Sequence, residues 1–448
     1  MTDPHPKKSR HRPGRRIAGV VRNLPVLRTV IGRMPLRSRP ALFFETLSNV
    51  GTGAYITLFS ISLVVLETVL DGEPWHLVLM SMMFLGSSLF SPLVTYAGRS
   101  IPMRYLVTVP NLLVAVMLLV VATTWHDPFV FALLVGSSFV IRVFPRVAEM
   151  NMFRVLYPAT HRGMAVGWTK SVSALSGFGV ALISWRLASF PGWYPGLYTL
   201  VAAMLFSSVF FYSRIPMPRG CFFFRDDDLS PVHAFRQGVK VILRDRRFML
   251  YQLGFAIAGI ANHMSLPLIP IVVNGIEPDR GTNFLIVTVV PVALTIATSP
   301  LWGRYLDKRD PMFGRGIFNA LQAVAYGFYT LGGVTGQLWP FVVGTVLHAA
   351  SAGGSVINWL TGSMYFARTE HVSLYNAVHV AFTGVRGLIG PAVGLWLFVN
   401  QETIGQWQIT GWNLGPRVFV VSAVLSVIGL AIMMAMHATD TGPREQSD

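Results

Sequence analysis

Nine ionisable side chains within long apolar stretches of this chain are candidates for chemistry: Glu45, Arg142, Arg146, Glu149, Lys170, His263, His348, His379 and Arg386. A charge in such surroundings is costly, so it faces a cavity or a partner. Arg386 lies deepest. It stands thirteen residues into the stretch 373–399, roughly 20 Å along a helix that rises 1.5 Å per residue. That is too far for easy snorkelling to the nearer surface. A guanidinium there suits bidentate binding of a carboxylate or phosphate. The other reading is a buried pair with a neighbouring helix, through Glu45 or a backbone carbonyl.

Arg142, Arg146 and Glu149 are spaced i, i+4, i+7 and share one helical face. Arg142 joins Arg386 as a candidate substrate ligand. Arg146, Glu149 and Lys170 read as a salt-bridge latch at the cytoplasmic side. Glu45 is a candidate proton carrier, or else an interfacial anchor for a basic residue. His263, beside Asn262, precedes Pro267 and Pro270, which can break a helix. Broken helices expose backbone groups that bind substrates or ions, so Asn262 and His263 join the binding candidates and His263 the coupling candidates. The rival reading of His263 is a packed core histidine. Asn358 is a further cavity candidate, with Asn49, Trp359 and Asn376 beside it.

Nothing resembles a catalytic kit. There is no His-Glu-x-x-His, no Gly-x-Ser-x-Gly and no phosphate-binding Gly-x-x-x-x-Gly-Lys-Ser/Thr. The triplet Asp226, Asp227, Asp228 has no second acidic cluster and reads as a solvated loop. No metal site and no cofactor are expected, and the chain reads as a non-enzyme.

The elements that must position these groups follow from composition. The 448 residues are 52% hydrophobic and only 12% charged, with a mean hydropathy of +0.53. Soluble proteins carry about 25% charged residues, so a soluble enzyme, a disordered chain and a coiled coil are excluded. A single cysteine, Cys221, forbids an internal disulfide. Twelve apolar stretches are long enough to cross a bilayer: 41–68, 75–97, 103–124, 128–150, 164–187, 194–213, 248–273, 282–302, 314–334, 338–362, 373–399 and 412–436. The expected layout is all-α: a basic tail over 1–40, a six-helix bundle over 41–213, a middle loop over 214–247, a second six-helix bundle over 248–437 and a tail over 438–448.

The tail over 1–40 holds eleven Lys/Arg against Asp3, ten of the net +16. It reads as a cytoplasmic segment touching anionic lipid, not as a nucleic-acid binder. A short interfacial helix over 17–31 would be broken by Pro25. Connections on the tail's side carry most other basic residues, among them Arg99, Arg104, Arg304, Lys308, Arg309, Arg315 and Arg368. The opposite side has only Arg186 and Arg280, beside Glu67, Asp71, Glu73, Asp127, Glu277, Asp279 and Glu402. Positive residues stay inside, so both termini are placed in the cytoplasm and the protein in the cytoplasmic membrane.

The halves repeat. Ser91-Pro92-Leu93 matches Ser299-Pro300-Leu301, and Pro102-Met103 matches Pro311-Met312. Gly303, Asp307, Lys308 and Arg309, followed by Gly314-Arg315, resemble motif A of the major facilitator superfamily. Ala97-Gly98-Arg99 is a first-half copy without the Asp. Gly387, Gly390, Pro391 and Gly394 are similar to the Gly-Pro-rich motif of that superfamily's drug–proton antiporters. The resemblance implies two six-helix bundles related by a pseudo-twofold axis, rocking about a site near the bilayer midplane. It implies gating roles for Gly303, Asp307, Lys308 and Arg309. The expected function is secondary transport of a small solute, anionic by the excess of deep basic residues. Coupling would be to an ion, the proton first among candidates, and the protein would act as a monomer. A drug–proton antiporter, a non-transporting scaffold or lipid-handling protein on the same fold, and a membrane enzyme are the alternatives.

Overall fold

The computed structural model describes residues 25–91, 94, 101–124, 126–217, 240, 244–306, 308–367, 372–404 and 407–440. The basic segment 1–24, the first-half motif copy at 97–99, the triplet at 226–228 and Asp307 lie outside these residues.

The described residues form twelve successive helical spans. The first is Arg39–Thr68. The second is Pro74–Gly86, continued by a 3-10 turn over Ser87–Phe90. Met103–Thr123 is the third, and Pro128–Ile141 with Val143–Leu156 the fourth, interrupted at Arg142. Ala159–Leu187 and Trp193–Ser213 complete the first half. The seventh span is Arg246–Ser265 and Leu268–Ile276, bent by 42°. The bend falls at Pro267, which lacks the N–H that would continue the ladder. The eighth runs through Arg280–Phe284, a π-helical turn at Leu285–Val289 and Val290–Leu306. Pro311–Thr335, Leu338–Thr361, Val372–Phe398 and Val418–Ala438 are spans nine to twelve.

Among the described residues, nine helices are long and apolar enough to cross a membrane, and the bent seventh span makes ten. The other two differ for physical reasons. Pro74–Phe90 is shorter. Pro311–Thr335 carries Arg315, Asn319 and Gln322 at i, i+4, i+7, all buried within the protein. Its polarity therefore faces inward.

Two elements depart from the sequence expectation. A helix, Pro25–Gly32, starts at the proline expected to break it. At the first helical position the missing N–H costs nothing. Between spans eleven and twelve, β1 (Gln401–Ile404) pairs antiparallel with β2 (Trp407–Thr410), where only a connecting loop was expected.

The packing repeats between halves. Span one lies against five and six, three against six, and two against four. Six spans later, seven lies against eleven and twelve, nine against twelve, and eight against ten. The halves meet where two packs on eleven and five on eight, pairs that the same pseudo-twofold operation exchanges. Close approach needs small residues at the crossings. A Cβ on Gly387 of span eleven would lie 2.5 Å from the Leu85 carbonyl carbon of span two. One on Gly53 would lie 1.9 Å from the Ser173 carbonyl oxygen. Each half has its own apolar core, around Leu58, Phe131 and Tyr198 in the first and Leu268, Tyr329 and Phe419 in the second.

Candidate functional site

The central cavity, of about 590 Å³, lies between the halves. Spans one, two and five supply Ile56, Phe59, Leu63, Phe84 and Lys170. Spans seven, eight and ten supply Asn262, Leu266, Ile269, Val292 and His348. Its wall is predominantly apolar. A smaller chamber of about 220 Å³ lies within the second half and shares Asn262, His348, Ala352 and Val356 with the cavity. The chamber is lined by polar groups: Arg315, Arg386, Gln322, His263 and Ser355, with Phe255 and Trp359. Among the described residues, neither lining contains an Asp or Glu.

Arg386 reaches the chamber from span eleven by crossing span seven. Gly259 makes the crossing possible, because a Cβ there would lie 2.5 Å from the Arg386 Cδ and 2.7 Å from its Nη1. Nη1 donates to the Phe255 carbonyl at 2.9 Å, and Nη2 to Thr383 Oγ1 at 2.9 Å. The guanidinium lies 4.6 Å from the centre of the Phe255 ring, and that of Arg315 lies 4.1 Å from the same centre. Cation–π attraction to one ring thus holds two like charges side by side. No carboxylate pairs with either among the described residues.

Several polar atoms of the chamber have no hydrogen-bond partner: Arg315 Nε, Arg386 Nε, His263 Nδ1, Gln322 Oε1 and Ser355 Oγ. Arg315, Arg386, Gln322 and His263 are exposed by 4, 5, 3 and 7%. Buried polar groups are normally satisfied, so a set left open around one small volume is a ligand-binding arrangement. Asn262 is organised differently. Its Oδ1 accepts from His348 Nε2 at 2.9 Å and from the Tyr326 hydroxyl at 3.4 Å, while the Tyr329 hydroxyl lies 3.4 Å from His348 Nδ1. One neutral tautomer satisfies both bonds of His348, with the proton on Nε2.

Arg315 is a correction to the sequence reading, which counted it in a cytoplasmic connection. Span nine begins at Pro311, capped by the Asp310 carboxylate on the Phe313 N–H, and this puts Arg315 on the second turn facing span seven. The i, i+4, i+7 pattern with Asn319 and Gln322 is the signal that identifies it.

Other candidates are placed elsewhere. Arg142 lines neither cavity and pairs with Glu149 at 3.0 Å, with a further contact to Thr52 Oγ1 at 3.3 Å. Glu149 is therefore joined to Arg142 and not to Lys170, since the pair spans the break in the fourth helix. Arg146 reaches Ser88 Oγ at 3.4 Å. Lys170 is exposed on the cavity wall and has no carboxylate partner among the described residues. Glu45 is buried and accepts from the Tyr157 hydroxyl, so it is not the partner of Arg386. Asn358 lies outside both linings, donating to the Pro311 carbonyl at 2.9 Å and accepting from Tyr251 at 3.3 Å. Gly303 is not at a tight crossing, since a Cβ there would make only an ordinary contact with Ile357 Cδ1 at 3.8 Å. Lys308 and Arg309 are exposed, with Arg309 over the Phe313 ring at 5.0 Å.

The hydrogen bonds described between the halves lie at the end remote from the termini. Asn274 donates to Glu67 at 3.1 Å, Arg280 to the Thr68 carbonyl at 2.8 Å, and the Trp75 N–H to Glu402 Oε1 at 3.3 Å. Trp193 and Phe284 pack edge to face beside them.

Two membrane-spanning bundles around a central cavity define a transport fold. The sequence profile of the Major Facilitator Superfamily matches residues 46–391, and the chain belongs to that family. It is a multi-pass membrane protein. Among solved structures, a POT family transporter in complex with 5-aminolevulinic acid is similar, with a TM-score of 0.69 and 11% identity over 92% of this chain and all of the other. The nucleoside transporter NupG gives 0.66 and 12% over 89% and 99%. The inward-open xylose transporter XylE from E. coli gives 0.63 and 11% over 88% and 94%. At these identities the likeness is one of fold. No curated protein matches.

Proposed function

We propose that this chain is a secondary transporter of a small anionic solute, working by alternating access. The observation that carries the reading is the chamber, where Arg315 and Arg386 are buried without a carboxylate partner among the described residues and their Nε atoms stand open. A carboxylate or phosphate would complete those bonds and offset the cost of the two charges. Lys170 adds a third positive charge along the route. An efflux antiporter for lipophilic cations would need an acid at the cavity, and neither lining supplies one. Coupling to a proton gradient is part of the proposal, with Glu45 as the buried carboxylate outside the chamber. The family's architecture favours a non-enzymatic role. The basic connections on the side of the termini favour a cytoplasmic location for both ends. The closed remote end then makes this arrangement inward-facing.

The test is thermal melting of purified protein against anionic, cationic and neutral solutes, with Arg386→Ala and Arg315→Ala in parallel. A ligand at 100 times its Kd stabilises by about 2.7 kcal/mol. The expected result is a shift with one anion class, lost in both variants. A shift with lipophilic cations, or with nothing, overturns the reading.

A further inference from the structure

The chamber accounts for only the smaller part of the empty volume. Its polar groups converge on about 220 Å³, and it opens through Asn262, His348, Ala352 and Val356 onto about 590 Å³ walled by Ile56, Phe59, Leu63, Leu266 and Val292. A compact hydrophilic anion would fill the chamber and leave that apolar wall unused. The larger volume lies within the ~300–1,000 Å³ of pockets that bury drug-sized ligands. Apolar wall facing water in a preformed cavity is a source of binding free energy for an apolar body.

Building on the anion reading above, we infer that the solute is amphipathic. Its single carboxylate or phosphate head sits in the chamber against Arg315 and Arg386, and its apolar body extends into the central cavity between spans one, seven and eight. His348 and Asn262 stand at the junction of the two volumes, already satisfied by one another and by Tyr326 and Tyr329. They make few demands on the part of the ligand that passes them. The open guanidinium, imidazole and amide atoms of the two linings, by contrast, lie on the chamber side, while among the described residues the central cavity has only the open hydroxyls of Thr288 and Thr345. Polar and apolar recognition are thus separated in space, as an amphipathic anion requires.

The experiment is a length series measured on the full chain by calorimetry. The probes are acetate, butyrate, hexanoate and octanoate, with hexyl phosphate, hexylammonium and hexanol as head-group controls. Each buried methylene should tighten binding about fourfold for the anions, with hexanol and hexylammonium weak. The comparison of hexanoate with hexyl phosphate distinguishes the two heads. Arg386→Gln should weaken every anion. Ile56→Asn changes the cavity wall at a position that is 48% exposed. It should keep the melting temperature and acetate affinity while weakening octanoate at least tenfold. Affinity that is flat along the series, or tighter for a hydrophilic anion such as succinate, overturns this inference and leaves the anion reading standing. Preference for hexylammonium overturns both. An absence of binding by every probe also overturns the amphipathic assignment.

Discussion

Arg315 stands at the edge of its apolar stretch and Arg386 thirteen residues into its own, yet both touch Phe255. Arg386 is legible in the sequence because a lone guanidinium deep in a span has few tolerable explanations. Arg315 is not, because it lies four residues past a proline in a stretch that reads equally well as a basic connection. Only the helix start at Pro311 gives it a face. Gly259 is silent in the sequence, and its role depends on a side chain from another span. Gly259→Ala is expected to push the Arg386 guanidinium out of register with the chamber. Losing one charge-assisted hydrogen bond costs about 1.5–3 kcal/mol, so anion affinity should fall tenfold or more. The melting temperature should hold, since alanine favours a helix by up to ~1 kcal/mol over glycine. Unchanged affinity would remove Gly259 from the site.

At the scale of elements, breaks mark the working parts. The seventh span bends at Pro267, immediately after Asn262 and His263, and this was legible from the prolines. The interruption at Arg142 was not, since Pro145 sits inside the following helix and the Arg142–Glu149 pair holds the two pieces together. The hairpin of β1 and β2 was also hidden, because four-residue strands leave little periodic signal. It brings Glu402 to the start of the second span, where its carboxylate accepts from the Trp75 N–H. Burial raises the Glu402 pKa above the usual carboxylate range. A carboxyl held up in the folded state binds more protons there than when unfolded. Its contribution is therefore fully present at low pH and is lost as pH rises from the ordinary carboxyl range through the raised value. Asp279, at the start of span eight, has the opposite sign. Its carboxylate accepts from the Thr282 N–H and hydroxyl, which lower its pKa, so that contribution is lost as pH falls. Glu402→Gln should flatten the first slope in melting temperature against pH and leave the second. A slope unaffected by the substitution would show that Glu402 does not contribute it.

For the whole molecule, the described hydrogen bonds between halves at the remote end oppose the opening of that end. Spans two and eleven approach so closely at Gly387 that any side chain must force them apart. With Cys221 replaced by serine, Ser60→Cys on the cavity wall becomes a single reporter for a membrane-impermeant thiol reagent. Labelling is expected from the side of the termini. Adding Gly387→Val should raise labelling from the remote side severalfold, because it penalises the present packing and shifts the population. Labelling from the remote side alone in the parent would refute an inward-facing arrangement.

The sequence by itself determined that the chain spans a membrane, that it does so twelve times in two related halves, and that Arg386 is a charge without a local excuse. These follow from residue type along the chain, since apolar length and the cost of a buried charge are local quantities. The tertiary structure decided which charges meet. It joined Arg142 to Glu149, gave Glu45 to Tyr157, withdrew Asn358 from the cavity and brought Arg315 beside Arg386 across one phenylalanine ring. Those pairings depend on how each helix is rotated and how closely glycines let neighbours approach. Such quantities are fixed by packing between segments far apart in the chain, and hydropathy along the chain carries no record of them.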